Sequence, residues 1–444
     1  MPKAKCNHSS LCFSSSSHAT VTGFRRPSER QRVAATKSDN RVFPRSDKLF
    51  LNESVQAFPA PLLLPDDDLA GEEEDPQSFQ EWVDAEHRNP ITPKKKTIYV
   101  VPSPQVDPGL DFVREWTQPT STGNDCQINP PSTKDVQEYL AAFYHGLPVK
   151  MMPSSTLRIM PWDEARKKAK KPAQEQYLGL SIGDECVRIR ARTLPEGVYG
   201  GQINLTDLLD AAISLLPKDA YALIMLVDYD LYEEKDDEFV CGRAYGGSRV
   251  AVVSSARYNP TLDHIQRIER LHAWPASHCE TYMSACTSAE PAAKNQKRSR
   301  GVNKGSQKST LELDGPVKDA VSAYQSLREV DSAPSLIYAL WLGRMCRTAS
   351  HELGHCFGIA HCVYYACSMQ GTASICEDAR QPPYMCPVDL AKVLSATSSS
   401  ASERYRALLK FCERPENLDT HFFGPFAAWI RSRLHQVEDS ADFS

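Results

Sequence analysis

The apolar and polar positions of this chain fall into a recognisable order of elements. Thr133 to Tyr144 carries apolar residues at helical spacing, with Ser132 and Thr133 placed to cap its first turn. Leu147 to Met152 follows as an extended run closed by Pro153. Leu205, Leu208, Leu209, Ala212, Ile213 and Leu216 recur at helical spacing between Asn204, a good N-cap, and Pro217, which stops the helix. The apolar strand Ala222 to Val227 comes next, then a polar turn over Asp228 to Glu238, then a second extended run from Arg249 to Tyr258 behind Gly246 and Gly247. A helical pattern resumes at Leu336 and runs through Trp341 and Leu342 to His355, and Ser402 to Phe411 and Phe423 to Leu434 repeat it around a loop at Pro415. This order predicts an α/β (α+β) fold: a twisted mixed sheet with helices packed on it and a mostly helical C-terminal part, with the two last helices closing the lower half of any cleft.

Outside these segments the composition changes. Residues 1–93 are rich in Ser, Pro and charge, including the run Ser14 to Ser17 and an acidic block from Asp66 to Asp75. Such a segment cannot offset its own ordering entropy and is expected to be a disordered tail. Residues 94–131 promise no more than one short strand, Thr97 to Val101, flanked by Lys94 to Lys96 and by prolines. The single ordered domain is then expected over 132–435, interrupted by a disordered basic insertion at 277–315 that carries Lys294, Lys297, Arg298, Arg300, Lys304 and Lys308, and followed by a loose tail at 436–444. The basic run between Trp162 and Gln176 reads as an exposed helix face.

With 444 residues the chain can bury a sizeable core, which excludes a small disulfide-stapled scaffold. Its 51 basic and 56 acidic residues leave a net charge of −5, so no global field draws it to nucleic acid or an anionic membrane. No apolar stretch approaches the roughly 18 residues of a membrane-spanning helix, and the start lacks a secretory signal. An intracellular protein, cytoplasmic or nuclear, is therefore expected, although the Ser- and Arg-rich start, free of acids before Glu29, leaves organelle targeting open. In that setting the 14 cysteines read as metal ligands or buried thiols before they read as disulfides. Five of them, Cys356, Cys362, Cys367, Cys376 and Cys386, crowd into one short segment beside three histidines.

That segment carries the chemistry. In His351-Glu352-Leu353-Gly354-His355 the two histidines lie four apart on one helix face, where both imidazoles can reach a single zinc ion at about 2.0–2.1 Å. Glu352 points to the adjoining surface, placed to take a proton from an activated water rather than to bind metal. The chain continues Cys356-Phe357-Gly358-Ile359-Ala360-His361, and glycine at 358 lets the helix stop and turn back to deliver His361 as a third ligand. Three neutral histidines leave a fourth tetrahedral position open, the arrangement of a catalytic rather than a closed zinc site. Cys356, one position past His355, turns away from that face and reads as a buried thiol.

His351 to His361, followed by Cys362, Cys367 and Met369, resembles the extended signature of the archaemetzincins, a branch of the metzincin zinc metallopeptidases. The resemblance extends upstream through Phe143 to Pro153, Leu208 to Tyr232 and Arg249 to Tyr258. It implies a metzincin-like catalytic domain that hydrolyses peptide bonds. His351, His355 and His361 would hold a catalytic Zn2+, Glu352 would serve as general base and acid, and Met369 would form the Met-turn beneath the metal. Arg249 to Ala256 would be an edge strand on which a peptide substrate could lie as an added strand. Cys362, Cys367 and Cys386 match three of four cysteines that bind a second, structural zinc in the family.

The sequence departs from that pattern at the fourth cysteine, where Asp389 stands. A Cys3Asp site, replacement of the missing ligand by Cys376, and a weak or empty second site are all compatible with this. Gly371 occupies the place where some metzincins carry a transition-state tyrosine, while Tyr364 and Tyr365 sit nearby. Two rival functions follow: a binding or regulatory protein that keeps the peptidase fold without effective proteolysis, and a zinc-finger module contacting nucleic acid, which a single cysteine cluster fused to a peptidase motif argues against. Peptides or proteins are the expected partners, with no membrane and no nucleic acid. Endopeptidase and aminopeptidase action, oligomeric state and any propeptide role of Cys6 or Cys12 stay open.

Overall fold

The computed structural model of the chain describes residues 6–52, 54, 56–67, 75–120, 128–162, 175–288, 314–327 and 333–442. Its strands, in chain order, are β1 (Thr97–Val101), β2 (Gln105–Val106), β3 (Val149–Met151), β4 (Leu157–Pro161), β5 (Glu175–Ile182), β6 (Glu185–Thr193), β7 (Gly201–Asn204), β8 (Ala220–Val227), β9 (Asp230–Tyr232), β10 (Gly242–Tyr245) and β11 (Val250–Ser254). They form two mixed sheets among the described residues where the sequence suggested one. The first has the order β10-β11-β8-β1-β3 and the second the order β2-β4-β5-β6-β7-β9.

β8 shows why the first sheet lies inside the molecule. All eight of its residues are buried, as befits a parallel strand covered on both faces. Because successive side chains alternate, Ala222, Ile224 and Leu226 enter the larger core, while Leu223, Met225 and Val227 enter a second core. The helix Leu205–Leu215, capped by the Asn204 side chain, fills that second core between the two sheets. Against the opposite face lies the long helix Pro334–Cys356, which contributes Met345, Cys346, Ala349 and Leu353.

Several expectations are corrected. β1 is no isolated strand: it sits in mid-sheet, parallel to both β3 and β8, partners too distant in sequence for a local pattern to reveal. β11 is not an edge either, since it pairs with β8 on one side and antiparallel with β10 on the other, which makes β10 the edge. The described part of 1–93 is ordered, with helices at Glu29–Ala35, Arg45–Phe50 and Phe79–Asp84. Phe50, Phe58, Phe79 and Trp82 are buried in the larger core; each aromatic gains its burial from a surface built by the rest of the chain. Ser277 and His278 lie in a short turn and Glu280–Thr287 is helical, whereas the basic cluster at 294–308 lies outside the described residues. The last helix runs from Phe423 to Asp442, through most of the expected tail. Of the basic run before Gln176, residues 163–174 lie outside the described residues and the strand β5 begins at Glu175.

Candidate active site and metal centres

The long helix places His351 and His355 one turn apart and ends at Cys356, after which Gly358 adopts φ +75°. A residue with a Cβ rarely takes that conformation, and the reversal brings His361 back beside the helix. Donor atoms of His351, His355 and His361 all lie within 4.8 Å of one another, and the His361 ring centroid stands 5.3 Å from that of His351 and 4.9 Å from that of His355.

Backbone carbonyls orient two of the rings. His351 Nδ1 meets the Ser368 carbonyl at 2.6 Å, and His355 Nδ1 meets the Ile359 carbonyl at 2.8 Å. A carbonyl only accepts, so each Nδ1 carries the proton and each Nε2 presents a lone pair. The two Nε2 atoms face each other at 3.0 Å, an arrangement that calls for a cation between them and that matches the way protein imidazoles are held for metal. Burial and the neighbouring imidazoles also hold His351 well below its ordinary pKa, in the neutral form that a metal needs. The residues therefore fit zinc.

The histidines open onto a cleft of about 690 Å³. One wall is Phe239 to Ala244, which includes most of the edge strand β10; the other is Thr372 to Ile375 with Asp378 and Gln381. The expectation that the C-terminal helices close the lower side is thus corrected, since Phe411, Phe423, Phe426 and Trp429 pack in the larger core instead. Glu352 lines the cleft and is 9% exposed. Burial pushes its carboxyl up to about 7, against the pull of His361. Tyr364 and Tyr365 are buried elsewhere, Tyr365 against Phe58, whereas Tyr258 lines the cleft wall. Cys356 is buried, 1% exposed.

Met369 lies directly under the helix. A Cβ placed on Gly354 would come 2.5 Å from the Met369 sulfur, so glycine is required there for the two segments to approach. On its other side Met369 joins a second cluster: its carbonyl accepts from the Cys362 N–H at 2.7 Å, and its N–H donates to Cys367 Sγ at 3.3 Å. Cys362, Cys367, Cys386 and Asp389 are all buried, with donor atoms within 4.8 Å of one another. Asp389 Oδ2 accepts from Cys367 at 3.3 Å and Cys386 at 3.4 Å, while Oδ1 accepts from Lys392 Nζ at 2.9 Å. Burial pushes the Asp389 carboxyl up to about 6 despite that lysine. Cys376 is elsewhere, its thiol on the Gln266 carbonyl at 3.3 Å.

Sequence reasoning missed a clamp supplied by the N-terminal segment. Gln77 accepts from the Ala360 N–H at 3.0 Å, donates to the Gly358 carbonyl at 3.1 Å and accepts from Lys392 at 3.0 Å. Trp82 Nε1 donates to the Phe357 carbonyl at 2.9 Å. Together they hold the loop that delivers His361. The sole local signal is the capping box Ser78 to Glu81, which marks a helix but says nothing of its partner.

The model of peptidase family M54 matches residues 335–393, the stretch that holds the three histidines, Met369 and the four-donor cluster. Archaemetzincin-2 of Pongo abelii is 25% identical over 382 residues, covering 84% of this chain and 81% of its own, and archaemetzincin-2 of Homo sapiens is 24% identical over 382 residues, with the same coverage. The chain is thus similar to the archaemetzincins, over the histidine and cysteine segment in the family model and over most of its length in these relatives. It is accordingly a zinc metallopeptidase. The crystal structure of archaemetzincin from Methanopyrus kandleri aligns with 69% of this chain and 98% of its own at 17% identity and a TM-score of 0.30, too loose a likeness to carry argument. No helix among the described residues is long and apolar enough to cross a membrane.

Proposed function

We propose that this protein hydrolyses peptide bonds in the cleft below β10, with Glu352 as general base and acid, and with a second, structural zinc held by Cys362, Cys367, Cys386 and Asp389. The observation that carries the catalytic reading is the pair of carbonyl-oriented imidazoles whose Nε2 atoms face one another at 3.0 Å beside Glu352. His351, His355 and His361 would hold the catalytic zinc, which supplies Lewis acidity toward a scissile carbonyl and makes water a better nucleophile near neutral pH.

The chain's own residues supply the rest. Glu352, held in a largely water-excluded wall with a carboxyl near neutrality, can take a proton from water and return it to a leaving amine. Among the described residues β10 has no strand on its outer side, so an extended peptide can add to it along the cleft by main-chain hydrogen bonds. In the second cluster three thiolates and a carboxylate would surround the ion with more negative charge than it neutralises. Lys392, 2.9 Å from Asp389, offsets part of that excess, which is how a carboxylate can stand in for a fourth cysteine in a buried site.

The test is Glu352→Ala assayed on an unfolded protein substrate beside zinc content. Turnover should fall about 10²–10⁴-fold with zinc per chain unchanged, because Glu352 is not a ligand. Undiminished turnover, or zinc lost together with activity, would sink the assignment.

A further inference from the structure

A third group of donors lies outside both clusters. Cys6, His8, His272 and Cys279 each present a ligand atom, and these atoms all lie within 4.8 Å of one another. The Cys6 and Cys279 sulfurs are 3.5 Å apart, far beyond the roughly 2.05 Å of a disulfide, and the rings of His8 and His272 meet edge to face at 5.2 Å. His8, His272 and Cys279 are 5%, 8% and 1% exposed.

Each histidine is held in a way that serves a ligand. His8 turns Nδ1 to the Gln325 amide at 3.3 Å, and its buried Nε2 has no hydrogen-bond partner among the described residues. Leaving that atom unpaired inside the protein is unfavourable. His8 also has φ 45°, an uncommon conformation for a residue with a Cβ, fixed by the Gln325 amide donating to the Asn7 carbonyl at 2.6 Å. Tyr282 stacks on His272 at 4.1 Å, and the Glu269 carboxylate stands 3.4 Å from His272 Nδ1. An outer carboxylate of this kind commonly orients a metal-bound imidazole.

We propose that Cys6, His8, His272 and Cys279 form a closed Cys2His2 zinc site that pins the N-terminus to the turn before the helix Glu280–Thr287. Two thiolates and two neutral imidazoles leave Zn2+ with no net charge, which suits burial, and all four tetrahedral positions are filled, so the site is structural. Binding releases the two thiol protons to solvent. The main chain already runs together here: the Cys12 N–H donates to the His278 carbonyl at 2.8 Å and the Glu280 N–H to the Ser10 carbonyl at 3.0 Å. The ion would fasten the start of the same segment whose later residues, Gln77 and Trp82, clamp the His361 loop. The proposal does not rest on the peptidase mechanism.

Elemental zinc analysis on the full-length, zinc-replete protein tests it, comparing wild type with the double variant C6S/H8Q. The variant should hold one zinc fewer per chain; equal content would overturn the site. Thiol titration of the unreduced wild type after denaturation and chelation should find all 14 cysteines free, and a deficit of two with Cys6 linked to Cys279 would replace the metal by a disulfide. Should C6S/H8Q fail to fold, H8Q alone should lose one zinc to a competing chelator at least tenfold more readily than wild type, and unchanged retention would count against the site. The cleft is read separately, since H355A removes a different ion.

Discussion

The three histidines of the cleft and the four-donor cluster behind them share Met369 as a party wall, yet they differ in donor chemistry and in access. The cleft donors are imidazoles on a helix and a returning loop, two of them oriented by carbonyls, and left open on one side. The inner donors are thiols and a carboxylate, every one buried and with Lys392 closing the set. On the proposed reading, the difference teaches that access, rather than donor type alone, would separate a reacting site from a fastening one. Neutral donors keep the positive charge of an ion available to a substrate, whereas anionic donors consume it.

The sharpest way to break this comparison is a pair of deletions. His355→Ala should remove one zinc and all measurable turnover while the far-UV circular dichroism and the melting temperature stay close to wild type. Cys367→Ala should instead cost several kcal/mol of stability, seen as a lower denaturation midpoint or insoluble protein, because binding energy in a closed metal site is folding energy. If Cys367→Ala melts like wild type, the inner cluster is not a fastening site.

A smaller effect should come from Gln77→Ala, which removes the bonds tying the His361 loop to Lys392. The expected loss is about 1–3 kcal/mol of stability, with faster zinc exchange at the cleft than at the inner cluster. Equal acceleration at both would mean that the clamp serves the whole C-terminal segment and not the loop alone.

The smallest effect concerns two buried aspartates. Asp228 is held by the hydroxyl of Ser255, and its pKa is raised chiefly by burial. A raised carboxyl pKa means that the folded state binds its proton more tightly than the unfolded state, so the ionised form costs stability above the folded pKa and the cost fades as pH falls through it. Asp228→Asn should thus stabilise the protein by about 1 kcal/mol at neutral pH, with the gain shrinking on acidification toward the ordinary carboxyl range. Asp389→Asn should do the reverse, weakening zinc retention and stability in urea melts, because its carboxylate has Lys392 and the metal donors to serve. The same sign at both positions would remove Asp389 from the ligand set.

How legible each part was follows from the range of the forces that fix it. The helix Leu205–Leu215 and its cap were readable because cap and apolar stripe lie within a dozen residues. β8, β1 and β11 are each readable as runs of apolar residues, but the pairing of β8 with the other two is not, since parallel pairing leaves no local turn to announce the partner. The edge position expected for β11 comes from the family resemblance; an apolar run shows burial alone, and only the pairing with β10 shows which side is left open. The order of the N-terminal segment is not legible locally because Phe58 and Trp82 are sparse among polar residues, and their burial is a property of the surface they meet.

By itself the sequence determined the geometry of the candidate site. The spacing His351-x3-His355-x5-His361, with Glu352 between and Gly358 at the reversal, fixes geometry through the helical repeat and one backbone conformation, both local. Tertiary structure decided what stands around that site: Asp389 rather than Cys376 beside the three cysteines, β10 as the open edge, Gln77 on the His361 loop, and Cys6 and His8 gathered with His272 and Cys279. Each of these joins residues far apart along the chain, and contacts of that range exist only once the core has closed and brought the segments together.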